Sequence, residues 1–164
     1  MKMKLIRHTF GICPCCGRKT VFLANGYWLR DYYVCLFCRS IPRQRAIMSI
    51  LKDKFPEYKN MKIHESSPSG AAFHQIKREC RNYSYSYFYD TETPGIEKAD
   101  GSINENLENL TFADNTFDLF ITQDVMEHVN RPERAFSEIC RVLKRGGYTC
   151  SLRLFIISKR RRQE

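Results

Sequence analysis

The sequence contains no long apolar run, and this absence limits the kind of protein that it encodes. None of its hydrophobic segments approaches the roughly 18 residues that a helix needs to cross a bilayer. Near the N-terminus, Arg7 and His8 interrupt the chain before the apolar region of a secretory signal peptide can form. We therefore expect no membrane partner and no export, and the expected compartment is the cytoplasm.

Acidic residues are also scarce in the first part of the chain. Residues 1–60 contain 12 Lys and Arg but only 3 Asp and Glu. Residues 61–158, by contrast, contain 11 Lys and Arg and 14 Asp and Glu. A basic head of this kind can contact nucleic acid or another polyanion. The same charge can instead offset negative charge within the head itself, and we favour this second role.

Four of the eight cysteines form two closely spaced pairs. Two residues separate Cys13 from Cys16 and Cys35 from Cys38, a spacing that lets one tight turn aim two sulfurs at one ion. Gly17 can supply the positive φ that such a turn needs. Because nothing indicates secretion, metal binding explains these cysteines better than disulfides do. We predict that the four cysteines hold a structural zinc ion.

Other interpretations of this segment stay open. Cys15 can replace Cys13 or Cys16 as a ligand, although its short spacing to both favours the outer pair. Alternatively, the thiols are free within a packed hairpin. A catalytic zinc is not favoured, since catalytic sites keep an open position and usually include His or carboxylate ligands.

The residues between the two pairs predict a β-hairpin. Residues 20–23 have the composition of a strand, and Asn25-Gly26 is a strong turn signal. The returning strand is expected over residues 27–29 and 32–34.

A helix is predicted after the second cysteine pair. Pro42 is typical of a first helical position, and apolar residues recur on one face as far as Phe55. Arg43 and Arg45 begin this helix, and we expect both to be solvated. Residues 1–58 are therefore assigned to a zinc ribbon with a linker helix.

From residue 61 the pattern changes to alternating strands and helices. Strands are predicted over 61–65, 83–89, 117–122 and 148–157, and helices around 71–80 and over 132–143. This alternation indicates a parallel sheet, in which ligands bind beyond the carboxyl ends of the strands. We expect the functional loops at 65–70, 90–94, 104–110 and 123–129.

The segment from Phe112 to Gly147 carries a resemblance to a known family. It resembles class I S-adenosylmethionine-dependent methyltransferases in two runs of residues. The first is Phe-Ala-Asp-Asn-Thr-Phe-Asp-Leu-Phe-Ile-Thr-Gln-Asp-Val-Met-Glu-His, and the second, further on, is Arg-Val-Leu-Lys-Arg-Gly-Gly. The cysteine-rich head also resembles the zinc ribbons of some bacterial members. The resemblance implies a Rossmann-like α/β sheet over residues 59–158, behind the ribbon and before a basic tail at 159–164.

The same resemblance suggests which residues bind S-adenosylmethionine. Glu65 takes the place of the acidic residue that ends the family's first strand, and Asp90 is the candidate acceptor for the ribose hydroxyls. The remaining candidates are Ser67, Ser69 and Gly70 in the glycine-rich loop, Asn106 and Leu107 near the adenine, and Gln123 and Asp124 beside cofactor and substrate. Asp90 can instead be a solvated turn residue. Glu65 can cap the following helix, a role that is compatible with cofactor binding. No catalytic residue is assigned, and His128 is more typical of a packed histidine than of a base.

The implied function is methyl transfer from S-adenosylmethionine to a small-molecule or glycan acceptor. The alternative is a binding module, in which the basic zinc head contacts nucleic acid or a protein and the sheet is a non-catalytic scaffold. Members of the family continue beyond the fifth strand, whereas this chain stops near it. We therefore expect strand 148–157 to form an unprotected edge that promotes association and lowers activity.

Overall fold

The computed structural model describes residues 6–25, 28–152 and 156–159, and the chain divides into two compact units. The first unit comprises residues 1–56 and 69–79, and the second comprises residues 57–68 and 80–164. The chain therefore passes between the units three times. The predicted limits at residues 58 and 158 stay predictions.

The first unit contains a three-stranded antiparallel sheet and three helices. Its elements are β1 (Ile6–Ile12), β2 (Lys19–Asn25), α1 (Leu29–Tyr32), β3 (Tyr33–Cys35), α2 (Pro42–Lys54) and α3 (Gly70–Glu79). The sheet order is β1-β2-β3, so the predicted hairpin is present as β2 and β3. Strand β1 was not predicted, and Leu29, expected in a strand, instead begins a single helical turn. Gly26, predicted in the turn, and Tyr27, predicted in the returning strand, lie outside the described residues.

One glutamine connects the beginnings of α2 and α3. The side-chain oxygen of Gln44 accepts hydrogen bonds from the Ile41 and Ala71 amides, both at 3.3 Å. Its Nε2 donates to the Ser69 carbonyl at 3.2 Å. Because the first N–H groups of a helix have no partner within the helix, this side chain satisfies one such group in each of two helices.

The expectation that Arg45 is solvated was wrong. Arg45 is only 8% exposed, and its guanidinium donates to the carbonyls of Ser40 and Tyr33. The same group stacks over the rings of Phe22 and Tyr33 at 4.6 and 5.2 Å from their centroids. Its charge is therefore held inside the first unit, where it joins the sheet to α2.

The second unit contains a six-stranded sheet. Its elements are β4 (Ile63–Ser66), β5 (Tyr83–Tyr87), β6 (Ile103–Asn104), β7 (Phe117–Gln123), α4 (Pro132–Val142), β8 (Leu143–Leu152) and β9 (Ile156–Lys159). The order is β6-β5-β4-β7-β8-β9, and every neighbouring pair is parallel except β8 and β9. The parallel sheet predicted from the alternation is therefore confirmed. The order of the strands reverses between β4 and β7, which makes this position the topological switch point.

Apolar residues of β7 and α4 form the core of the second unit. Phe117, Phe120, Ile139 and Val142 are almost completely buried in one cluster. His64 lies against Phe117 and Phe120, with its two ring nitrogens each 2.9 Å from a serine hydroxyl of β5. The histidine is therefore a hydrogen-bonded part of the core.

The last predicted strand differs from the observed one. Residues 148–157 were expected to form one edge strand, but β8 begins at Leu143 and β9 returns antiparallel to it. Strand β8 is therefore not the edge of the sheet. Residues 153–155, which belong to the predicted edge strand, lie outside the described residues. Among the residues that the structure describes, no helix has the length and apolar character to cross a membrane.

Candidate functional site

The four predicted zinc ligands converge in the first unit. The sulfurs of Cys13, Cys16, Cys35 and Cys38 all lie within 4.8 Å of one another. Two of the distances are 3.6 Å, between Cys13 and Cys38, and 4.0 Å, between Cys16 and Cys35. Four sulfurs about 2.3 Å from one zinc ion stand about 3.8 Å apart in a tetrahedron, so the arrangement fits this ion.

Two tight turns of the same kind place these sulfurs. The Gly17 amide donates to the Cys13 carbonyl at 2.8 Å, and the Arg39 amide donates to the Cys35 carbonyl at 3.0 Å. Gly17 has φ +71°, as its position in the sequence predicts, and Arg39 has φ +59° at the matching position of the second turn. The two turns are therefore equivalent in backbone conformation, although only the first has a glycine.

The surroundings of the cluster favour a bound cation. Burial raises the pKa of the Cys35 thiol, but the Cys38 amide, the Thr20 hydroxyl and the Phe37 amide outweigh it and lower this pKa to about 6. Burial raises the pKa of Cys38 to about 12. Four thiols this close cannot all ionise without a cation to neutralise them.

Hydroxyl groups and a fifth thiol complete the surroundings of the cluster. The Ser40 hydroxyl lies 3.3 Å from the Cys13 sulfur and 3.2 Å from the Cys38 sulfur, and is placed to orient both. Cys15 is buried but is not among the four converging sulfurs.

A second candidate site lies in the second unit, at the carboxyl ends of β4 and β7. A cavity of about 410 Å³ opens there, next to the switch point of the sheet. Four sequence candidates line it, namely Ser67, Asn106, Leu107 and Asp124. Its volume lies within the range of sites for small ligands.

The two loops that border this cavity contain unusual backbone conformations. Ser67, after β4, and Asp124, after β7, both have φ +51°, in the left-handed region that favours glycine. Such strain is maintained only where the surrounding structure fixes it, and it concentrates at functional sites. Ser67 thus adopts a backbone conformation that glycine adopts more readily than serine.

A buried hydrogen-bond group connects the strands next to this cavity. Glu65 is fully buried and accepts from the Tyr83 hydroxyl at 2.7 Å and from Gln123 Nε2 at 2.6 Å. The hypothesis that its carboxylate caps the following helix is therefore wrong. Burial raises the pKa of Glu65 to about 7, although both hydrogen bonds lower it. Glu65 and Gln123 hold together the two strands whose ends form the cavity.

The cavity is lined by acidic side chains. Glu105, Glu108 and Asp124 contribute carboxyl groups, and among the described residues neither Lys nor Arg lines it. Thr111 donates its amide to Glu105 at 3.0 Å, and the amides of Asn130 and Arg131 donate to one oxygen of Glu108. Burial raises the pKa of Glu105. A ligand with cationic and hydroxyl groups suits such a lining better than an anion does.

The sequence analysis did not name several residues of this cavity as candidates for the site. They are Ser66, Phe88, Glu105, Glu108, Val125, His128, Val129 and Asn130. Most of them lie in the loops predicted at 104–110 and 123–129, where the signal was the carboxyl end of a strand followed by polar residues.

The other candidates lie elsewhere. Asp90 is exposed in a turn after β5 and does not line the cavity, whereas Phe88 does. Ser69 and Gly70 belong to the first unit. Gly70 has φ +67°, and a Cβ atom there would lie 2.0 Å from Nε2 of Gln44, so the contact between α2 and α3 accounts for this glycine.

Comparison with known proteins identifies the family. The profile of a family described as a methyltransferase domain matches residues 69–151, about half of the chain. The chain belongs to this methyltransferase-domain family. Its α/β fold with a parallel central sheet is that of the Rossmann-like methyltransferases, as the resemblance implied.

Individual relatives cover only parts of the chain. An uncharacterized methyltransferase of Schizosaccharomyces pombe is 44% identical over 45 residues, which are 27% of this chain and 16% of that protein. The solved structure of the 4+2 cyclase SpnF has a TM-score of 0.52 at 18% identity, over 66% of this chain and 43% of that one. An S-adenosylmethionine-dependent methyltransferase of Mesorhizobium loti has a TM-score of 0.48 at 17% identity, over 65% and 52%. The chain thus spans about half or less of the length of these relatives.

Proposed function

We propose that this chain binds S-adenosylmethionine and takes part in methyl transfer to an acceptor. The observation that carries the proposal is the acidic cavity at the switch point, bordered by two loops that each contain one residue in the left-handed conformation, Ser67 and Asp124. Family membership supports the same function. The lining suits the cationic sulfonium and ammonium groups of the cofactor, because carboxyl groups but no Lys or Arg of the described chain line the cavity.

The cavity residues divide by chemistry. Asp124, Glu108 and Asn106 offer acceptors for ammonium and hydroxyl groups, while Leu107 and Val125 offer apolar surface for a planar base. When bound, the cofactor supplies a methyl group on a sulfonium, which an acceptor nucleophile displaces. The protein's part is to bind both molecules in line and to exclude water. The contribution of Ser69, Gly70 and Asp90 to the cofactor site also remains a proposal.

The cofactor proposal is tested by calorimetric titration with S-adenosylhomocysteine. We expect a Kd between about 1 μM and 1 mM, and a loss of about 1–3 kcal/mol in the Asp124→Asn variant. Glu133→Gln changes an exposed carboxyl group of α4 and serves as the control. An Asp124→Asn affinity equal to that of the control would remove Asp124 from the site. Absence of any saturable binding would contradict the proposal.

We also propose that the cysteine cluster holds one structural zinc ion. The four sulfurs leave no open position, so the ion supplies folding free energy and no chemistry at a substrate. We propose further that the acceptor is a small molecule or a glycan and that the compartment is the cytoplasm. The comparisons do not favour the alternative of a binding module on a non-catalytic scaffold.

A further inference from the structure

A second cavity, of about 400 Å³, lies within the first unit between α3 and the two cysteine turns, residues 13–18 and 35–39, which we call the zinc knuckles. From the knuckles, Arg18, Phe37 and the cysteines 15, 16 and 38 line it. From α3, side chains at successive turns of one helix face line it, and they include His74, Gln75 and Arg78. None of these groups belongs to the proposed cofactor site.

The lining is cationic on both sides. Arg18 and Arg78 contribute guanidinium groups and His74 an imidazole, and no carboxyl group from the described residues lines the cavity. Within the described part of the chain, neither arginine forms an ion pair. Apart from the thiolates of the proposed zinc site, of which Cys16 and Cys38 line this cavity, the described part of the chain places no anion beside these two positive charges.

Both arginines are exposed, and each guanidinium makes a contact within the first unit. Arg78 donates from one Nη to the side-chain oxygen of Gln75, a residue that is only 9% exposed. The Arg18 guanidinium stands over the ring of Phe37, 5.2 Å from its centroid. Each keeps further N–H donors for a ligand, because a guanidinium carries five. These contacts restrict the two arginine side chains, so a ligand loses less binding free energy in ordering them.

The zinc site does not account for these two charges. Its net charge of about −2 is matched by two other cations that contact the same segments. One is the buried Arg45, which donates to the Ser40 carbonyl, and the other is Lys52, whose Nζ donates to the Pro14 carbonyl at 2.6 Å. Arg18 and Arg78 are therefore in excess of what the thiolates require.

We propose that this cavity binds a phosphate-type dianion, as an inorganic ion or as the phosphate group of a small ligand. Two guanidinium groups and an imidazole on opposite walls suit a tetrahedral anion with several acceptor oxygens. A carboxylate, by contrast, is satisfied by a single arginine fork. The site does not depend on methyl transfer or on the cofactor cavity.

Titration of the full-length, zinc-loaded protein with inorganic phosphate tests the proposal, with acetate as the second probe. We expect saturable binding of phosphate in the millimolar range and at least tenfold weaker binding of acetate. Arg18→Gln and Arg78→Gln are each expected to weaken phosphate binding about tenfold, as the loss of a charge-assisted bond predicts. Lys77→Gln, a neighbouring change on α3 outside the cavity, is expected to change it less than twofold.

Three results would overturn the proposal. The first is no saturable phosphate binding by the zinc-loaded protein, and the second is equal binding of phosphate and acetate. The third is zinc loss from the Arg18 and Arg78 variants with unchanged phosphate affinity, which would assign both arginines to the balance of thiolate charge.

Discussion

His64 and Glu65 are neighbours on β4, and both are completely buried, on opposite faces of the sheet. Burial lowers the pKa of His64 to about 3 and raises that of Glu65 to about 7. Stability from the neutral histidine is present above its unfolded pKa of 6.5 and is lost as the pH falls toward 3. Stability from the protonated glutamate is present below its unfolded pKa of 4.5 and is lost as the pH rises through 7. The two effects therefore oppose each other between pH 4.5 and 6.5.

Glu65→Gln separates the two effects. The amide cannot ionise, so the free energy of unfolding of the wild type, minus that of the variant, should fall as the pH rises from 4.5 to 7. The expected fall is roughly 3 kcal/mol, because each pKa unit corresponds to about 1.4 kcal/mol. Urea unfolding at a series of pH values measures it, with Glu133→Gln as the exposed control. A difference that does not change with pH would show that Glu65 ionises normally.

At the scale of single elements, local pattern decided what could be predicted. Strand β7 and helix α4 were predicted almost to the residue, because a continuous apolar run and a helical apolar stripe each determine an element locally. Strand β6 has only two residues inside a polar stretch, and it exists because Ser86 of β5 pairs with Ile103. Strand β1 likewise depends on its pairing with β2, where Gly11 leaves room for the ring of Phe22. Such pairings depend on the neighbouring strand and leave little trace in the local sequence pattern.

The two zinc knuckles form an element whose folding should depend on metal. One zinc per chain is expected in freshly purified, reduced protein, and Cys13→Ser should lose it together with the order of β1, β2 and β3. Cys15→Ser is the matched control and should keep the zinc, because the Cys15 sulfur lies outside the converging four. Metal analysis and amide NMR spectra measure both effects. Equal zinc loss in the two variants would assign Cys15 to the ligand set.

At the scale of the whole molecule, the position of the cofactor cavity was predictable and part of its lining was not. The alternation of strands and helices placed functional loops at the carboxyl ends of strands, and three of the four predicted loops contribute to the cavity. Asp90 was chosen by alignment with the family's second strand. Strand β5 ends at Tyr87, however, and the turn that follows exposes Asp90. The residue at which a strand ends depends on its pairing with neighbouring strands, and the local sequence does not determine it.

The path of the chain between the two units predicts that zinc affects cofactor binding. Ser66 and Ser67 line the cofactor cavity, and Ser69, two residues later, is fixed in the first unit by Gln44 Nε2. If loss of zinc unfolds the first unit, this loop loses its fixed end and must be ordered when the ligand binds. We expect S-adenosylhomocysteine to bind about three- to tenfold more weakly to zinc-stripped protein, equivalent to about 0.5–1.5 kcal/mol of ordering.

Gln44→Ala tests the same connection with the metal in place. This variant should keep its zinc, because Gln44 is not a ligand, yet it removes the hydrogen bonds to Ser69 and Ala71. We expect its affinity for S-adenosylhomocysteine, measured by calorimetry, to fall between those of zinc-loaded and zinc-stripped wild type. Gln75→Ala, which removes a buried glutamine that bonds to Glu79 and Arg78 within α3, should leave the affinity unchanged. Equal affinity in the zinc-loaded and zinc-stripped proteins would mean that the cofactor loop is ordered by the second unit alone.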